Sequence, residues 1–553
     1  MPGVRVVHLL FVLLLLALVL RSALLLLTVA AVVTAAVTAL VRLTVVRSAM
    51  KERLETFWEA RRLRYWTVQA PAEIRRGAVL RDRMLSEERY VYLGTNRGRW
   101  VLAHPEHAVL VLGPPRQGKT TSVVIPTILA ASGPVVSTST KKEVLQHTAA
   151  TRSQVGTCWL FDPSGLSDAP QQVELLRWSP VPACATWDLA WKLSQDIVAT
   201  ARPAEGMREA GHWGERAAAL LAAFMHAAAL DGKDMRQVLA WTSRHDCDGP
   251  FDILERYDAG RAMDILRGIT RTAGGERSGI FSTASSALAV YQSDAALTVT
   301  GHPNFDPKAF VTSRDTVYIT ASSQYQKATA PLVVALLAEI QAATFAAAAQ
   351  QDWDGARLSP PMLWVLDEVA NIAPIPELPA IVSEGCGQGL VVVACLQDLS
   401  QARRRWGDEA NGFLSLFGTK LIFRGLLDMP TLKSISELAG EHDVTVVSES
   451  QIKGKPLLAK DRTAGKLRAV RSLSSSRERT YTKQPRPEPQ LPVSVIAQGQ
   501  DGKVLLLRSG QDRVPAWTFI RYTPWYCSSP WREVVRRDQQ LSADDTLHGQ
   551  GGT

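Results

Sequence analysis

Short, continuous apolar runs recur along the chain, separated by stretches with helical spacing. They read AVLVLG (108–113), PVVSTS (134–139), TCWLFD (157–162), TVYIT (316–320), MLWVLD (362–367), LVVVACLQ (390–397), KLIFRG (420–425) and KVLLLR (503–508). Runs that are apolar without alternation are strands buried on both faces, so the pattern predicts an α/β protein with a mostly parallel central sheet covered by helices. Between Ala204 and about Gln292 the strand pattern vanishes. Ala-rich helical text replaces it, including HWGERAAALLAAFMHAAAL (212–230), which predicts an all-helical domain inserted over 204–300. The sheet domain is then discontinuous, built from 91–203 and 301–520. His226 lies inside that first helix with no second ligand four residues on, and reads as a packed residue.

The longest apolar stretches stand at the start. Val6–Leu20 and Ala23–Val41 flank Arg21 and Ser22. A bilayer core needs about 20 apolar residues in helix, so the second stretch is long enough to span and the first is marginal. Residues 1–43 are therefore expected to be a transmembrane anchor, either a tight hairpin over about 6–20 and 23–41 or one longer helix. No small-residue cleavage site separates the two stretches, which argues against a removed signal peptide. Arg42, Arg47, Lys51 and Arg53 follow the second stretch, and this cationic flank predicts an integral protein of the inner (cytoplasmic) cell membrane, its bulk in the cytoplasm. The Arg-, Glu- and Trp-rich text over 44–90 reads as a juxtamembrane helical linker, and 521–553 as a polar tail.

Formal net charge is +9, and its location matters more than its total. The segment Lys453–Arg486 holds eleven basic residues against two acids, a surplus equal to that of the whole chain. Its Ser, Gly and Pro content reads as a mobile basic arm over about 453–487. Lys453, Lys455, Lys460, Arg462, Lys466 and Arg468 are its candidate phosphate contacts for DNA. The six cysteines are scattered without paired spacing, which indicates neither a disulfide framework nor a zinc site.

Two motifs carry chemistry. Gly113, Pro114, Pro115, Arg116, Gln117, Gly118, Lys119, Thr120 and Thr121 read GPPRQGKTT, a phosphate-binding loop set between a predicted strand and a predicted helix. Its glycines let backbone N–H groups face phosphate oxygens, Lys119 reaches the β- and γ-phosphates of ATP, and the Thr120 hydroxyl joins the Mg²⁺ shell. The run MLWVLDE ends in the second half of such a site. There Asp367 is expected to hold Mg²⁺ through water and Glu368 to polarise the attacking water. Gln397 ends the next strand, where open α/β sheets place their ligand crevice, and is the candidate γ-phosphate sensor. Arg424 follows the strand after that and is either an arginine finger or an ordinary ion-paired arginine.

With these residues in place the chain resembles the conjugative coupling proteins of type IV secretion systems, the TraG-like membrane ATPases. Further stretches carry the resemblance: 135–165, LLRWSPVP (175–182), HWGERAAALLAAFMHAA (212–228), SGIFSTASSALAVYQS (278–293), 367–401 and 418–441. The most specific pairing is Asp367 to Asn371, Asp-Glu-x-x-Asn, followed by a strand ending in Gln397. The resemblance implies a homo-hexameric RecA-like P-loop NTPase, a helical domain at its cytoplasmic mouth and an amino-terminal anchor. It also implies ATP-driven passage of single-stranded DNA with its relaxase into a type IV secretion channel. Two departures stand out. Ser139 occupies the acid position of an Asp-x-Lys-x-Glu pattern whose Lys141 and Glu143 are present, and only Arg21 and Ser22 stand where the family has an external loop. Two other readings share these features: a membrane receptor that recruits relaxase or effector proteins with nucleotide as an assembly signal, and an FtsK-like double-stranded DNA translocase.

Overall fold

In the computed structural model the chain divides into two units, residues 1–67 and 68–553. The structure describes residues 67–68, 91–201, 208–351, 357–451, 479–509, 516–528, 531–532, 534–536 and 539–540. The expected membrane anchor, nearly all of the juxtamembrane linker, and Lys453, Lys455, Lys460, Arg462, Lys466 and Arg468 lie outside the described residues.

Each of the eight apolar runs is a strand. With the strands that the pattern did not reveal, they are β1 (Tyr92–Asn96), β2 (Arg99–Leu102), β3 (Val109–Leu112), β4 (Val135–Ser139), β5 (Cys158–Phe161), β6 (Glu174–Leu175) and β7 (Thr316–Thr320), then β8 (Met362–Leu366), β9 (Leu390–Leu396), β10 (Thr419–Ile422), β11 (Glu441–Gln451), β12 (Arg479–Pro489), β13 (Lys503–Arg508) and β14 (Ala516–Arg521). All but β11 and β12 join one sheet in the order β2-β1-β14-β13-β10-β3-β9-β8-β4-β7-β5-β6. From β10 to β6 every neighbouring pair is parallel. The other side is an antiparallel extension: β13 runs against β10, β14 against β13, β1 against β14 and β2 against β1.

The parallel half is apolar throughout because helices cover both faces. One face carries Val109, Val111, Val365, Val391 and Val393 beneath the helix Thr120–Ala130; the other carries Leu110, Leu112, Trp364 and Leu366. The second face shares its core with a helical layer. Between β6 and β7 the described residues contain helices and no strand: Trp187–Ala201, Arg208–Leu230, Met235–Arg244, Asp248–Arg256, Gly260–Thr270, Gly274–Ala287 and shorter turns. Helical text thus begins at Trp187, upstream of Ala204, because Trp187–Ala201 packs against both Arg208–Leu230 and Gln326–Gln350. Gln326–Gln350 alone among the described helices is long and apolar enough to cross a membrane, yet Leu332 to Leu337 are buried in this core. His226 is packed there, its Nδ1 2.7 Å from the Cys184 carbonyl.

Two segments differ from their sequence reading. The end of the expected basic arm, residues 479–487, is strand and not mobile text: β11 and β12 form a long antiparallel hairpin that pairs from Glu441 with Pro489 out to Gln451 with Arg479. The supposed polar tail closes the antiparallel end of the sheet. Trp531 is fully buried, stacked on Trp100 at 5.0 Å and edge-on to Tyr92 at 5.6 Å, while Val534 and Val535 are buried beside it. Single aromatic residues among polar ones give no periodicity, so the pattern hid this packing.

One buried cation ties two strands of the parallel half together. Arg152 is fully buried and donates to Thr316 Oγ1 (2.8 Å) and to the carbonyls of Ala131 (2.6 Å), Gly133 (2.9 Å) and Arg314 (2.8 Å). It fastens the loops that precede β4 and β7. Arg152→Met orphans those acceptors and is expected to cost about 3 kcal/mol. Urea unfolding checks this, with an unchanged slope and a lower midpoint as the expected result.

In the helical layer Trp178 Nε1 donates to Glu339 at 2.6 Å, and burial pushes the Glu339 carboxyl up to about 7. A carboxyl whose folded pKa lies above its unfolded value contributes stability at low pH that is lost as pH rises toward 7. Glu339→Gln keeps an acceptor for Trp178. The variant is therefore expected to remove the fall of the urea midpoint between about pH 5 and about pH 8 that the wild type shows.

Candidate nucleotide site

The topology brings the distant motifs together. β9 lies between β3 and β8, with Leu396 opposite Leu112 and Ala394 opposite Leu366. The residues that follow these strands, Gly113, Gln397 and Asp367, therefore emerge side by side at the carboxyl edge of the parallel sheet. The Gly113 N–H donates to the Leu396 carbonyl at 3.2 Å, which welds the loop to the Gln397 strand.

The loop has the backbone its sequence requires. Gly118 has φ +92, a conformation that disfavours any side chain. At Gly113 the constraint is contact, since a Cβ there would lie 2.6 Å from Phe423 Cβ. Pro115 and Arg116 are exposed, and Arg116 adopts a positive φ of 63. Pro114, Gln117 and Gly118 are half-buried. The Lys119 ammonium folds back onto the loop, donating to the carbonyls of Gly113 (2.5 Å) and Pro114 (3.1 Å). An ammonium held only by carbonyl oxygens is a group that phosphate oxygens can compete for. Thr121 Oγ1 lies 3.4 Å from the Gly118 carbonyl, within the loop itself.

Thr120 Oγ1 donates to Asp367 Oδ2 at 2.8 Å. The other Asp367 oxygen accepts from the Glu368 N–H at 3.1 Å, and the Asp367 carbonyl accepts from Thr138 Oγ1 at 2.8 Å. Burial raises the Asp367 carboxyl above the usual range, and the Glu368 charge adds to the effect; the Thr120 hydrogen bond and the Lys119 charge oppose it. A hydroxyl and a buried carboxylate converging on one point beside a lysine form the donor set for a hard divalent cation. These residues fit Mg²⁺ accompanying a nucleotide phosphate.

Glu368 is left-handed, with φ 52 and ψ 45, a conformation costing about 1 kcal/mol for a residue with a side chain. Asn371 Nδ2 fixes its carboxylate by donating to Oε2 at 3.0 Å. The Gln397 N–H donates to Gln401 Oε1 at 2.9 Å. Arg424 stands at the same edge on the far side of β3, and its guanidinium pairs with the exposed Asp501 at 2.9 Å. Such an exposed pair is worth little, so Arg424 is only loosely held.

Three neighbours were not assigned roles from sequence. Asn371 and Gln401 contact Glu368 and Gln397; the sequence marks Asn371 as the end of the Asp-Glu-x-x-Asn run without giving it a role, and Gln401 only by its spacing of four residues from Gln397. Tyr522 comes from the segment read as a polar tail. Its ring packs on Phe423 with centroids 5.0 Å apart and closely approaches Gly118, which sets an aromatic side chain beside the phosphate loop.

This site and sheet order define a P-loop nucleotide-binding protein of the RecA-like α/β class. The family model for type IV secretory system conjugative DNA transfer matches residues 68–478, most of the chain, and the protein belongs to that family. No curated protein matches it. Its fold is similar to that of the bacterial conjugative coupling protein TrwB. The unbound form has 18% identity and a TM-score of 0.56, covering 82% of this chain and 92% of that one. TrwB in complex with ADP and Mg²⁺ has 17% identity and a TM-score of 0.56, covering 83% and 94%. The TrwB complex with the ATP analogue ADPNP has 18% identity and a TM-score of 0.55, covering 83% and 93%.

Asp367→Asn removes the buried charge while keeping a partner for Thr120. It is expected to raise the urea midpoint of the nucleotide-free protein and to abolish the stabilisation that Mg²⁺ with ADP gives the wild type. Urea unfolding of the nucleotide-free protein checks the first effect, and thermal unfolding with and without Mg²⁺ and ADP checks the second.

Proposed function

We propose that the protein is a membrane-anchored ATPase that couples DNA, with its bound relaxase, to a type IV secretion channel and drives transfer by ATP hydrolysis. The observation that carries this reading is the convergence of Thr120, Asp367, Glu368 and Gln397 at one sheet edge, in a chain of the conjugative DNA transfer family. The ADP, Mg²⁺ and ADPNP held by TrwB support ATP with Mg²⁺ as the ligand here.

In this reading the Gly113–Thr121 loop cradles the phosphates, Lys119 turns outward to them, and Thr120 with Asp367 holds Mg²⁺. The metal neutralises charge on the phosphates when bound. Glu368, oriented by Asn371, takes the proton of the attacking water, and Gln397 senses the terminal phosphate. Arg424 leaves Asp501 to act on the nucleotide of a neighbouring subunit in a homo-hexamer. The anchor at residues 1–43 holds the motor at the inner membrane, and the helical layer over 204–300 faces the relaxase. The basic residues from Lys453 to Arg468 contact single-stranded DNA.

Glu368→Gln tests turnover directly. It is expected to leave ATP affinity within about twofold and to lower hydrolysis by at least about 100-fold, as loss of a general base does. It should also abolish DNA transfer between cells. A variant that still transfers DNA would refute the hydrolytic reading.

A further inference from the structure

Beside the nucleotide edge lies a cavity of about 320 Å³ to which the proposed hydrolysis assigns no ligand. It opens where the end of helix Trp187–Ala201 meets the first turn of Gln326–Gln350, the short helix Val369–Ile372 and the helix Leu399–Trp406. Among the described residues its wall carries three cations, Lys327, Arg404 and Arg405, and no carboxylate. Arg405 is anchored by donating to the Thr200 carbonyl at 2.9 Å, and burial lowers its pKa. Lys327 and Arg404 are exposed, and no ion pair to either is seen among the described residues. Three like charges around one hollow repel one another unless an anion joins them.

Two other wall residues are Asn371 and Gln401. Asn371 holds the Glu368 carboxylate, and Gln401 holds the Gln397 backbone. Two groups of the cavity wall are thus one hydrogen bond away from the Glu368 carboxylate and the Gln397 backbone N–H, the two residues proposed above to act on the terminal phosphate.

We propose that this cavity binds a backbone phosphate of nucleic acid, and that Asn371 and Gln401 carry its occupancy to Glu368 and Gln397. Guanidinium forks with a lysine match the non-bridging oxygens of a phosphodiester, and the family's role in DNA transfer points to that source over free phosphate. Binding draws the cations together and shifts the helix Val369–Ile372, which changes how Asn371 aims Glu368. The coupling rests on the hydrolytic reading; the binding site does not.

The test uses the full chain in lipid and a single-stranded oligothymidylate of defined length. Fluorescence anisotropy over a salt series reads affinity, and phosphate release reads hydrolysis with and without the oligonucleotide. Lys327→Glu with Arg404→Glu is expected to weaken binding at least about tenfold and to reduce the salt slope by about two. Arg404→Lys alone should keep most of the affinity. Asn371→Ala is expected to lower basal hydrolysis, because Asn371 orients Glu368, and also to bring the ratio of stimulated to basal hydrolysis down to about one with oligonucleotide affinity within about threefold of the wild type; a purely structural asparagine would lower both rates and leave their ratio unchanged. Wild-type affinity and slope in the charge-reversed protein would overturn the site, as would equal stimulation by inorganic phosphate. Normal stimulation of Asn371→Ala would overturn the coupling. A wild type without hydrolysis under any condition would refute the hydrolytic reading and the coupling with it, while the affinity measurements still decide the site.

Discussion

The hydrogen bond from Thr120 to Asp367 is the contact on which the site depends. It joins residues 247 positions apart, and it exists only because β9 sits between the strand of each. The carboxylate has been taken from water into the edge of a parallel sheet, where Lys119 is the nearest compensating charge and is itself turned onto loop carbonyls. Such an arrangement leaves the nucleotide-free protein with an electrostatic deficit that a cation would relieve. Thr138 extends the lock to a third strand, so the acid cannot move without displacing β4.

The parallel half of the fold was legible because burial on both faces writes itself into sequence as unbroken apolar runs. All eight of those runs are strands, and the phosphate loop and Asp367-Glu368 follow the ones expected. Strand direction is not written in the same way. KVLLLR reads like the others, yet β13 runs antiparallel to β10, since a strand buried on both faces has the same composition whichever way it points. β1, β2 and β14 escaped altogether: β1 and β2 are short and their apolar text is interrupted by Gly94, Thr95 and Arg99, while β14 meets β1 only through Arg521 and Thr95, far apart in the chain. Trp531 belongs to the same class, because a lone aromatic reveals its packing only when Trp100 and Tyr92 are placed against it.

The finer parts of the site were hidden for another reason. Asn371 has a role only because Glu368 turns left-handed and brings a side chain three residues on back to its carboxylate. No propensity scale encodes that reversal. The helical layer likewise looked like a separate insertion, yet Leu220, Phe224 and Leu336 share one core with Leu110, Leu112 and Trp364 of the sheet. Close-packed interiors transmit displacement, so a shift in this layer is felt beneath the nucleotide edge.

The hairpin of β11 and β12 has a mechanical side. Its eleven paired residues, at about 3.3 Å each, make a ribbon roughly 35 Å long whose root adjoins the helix Met429–Ala439 and whose outer pair, Gln451 and Arg479, brackets the basic run. A ribbon of that length works as a pointer. Tilting its root by about 10° sweeps the outer pair through roughly 6 Å. A small rearrangement at the root is thereby magnified several-fold at the outer pair.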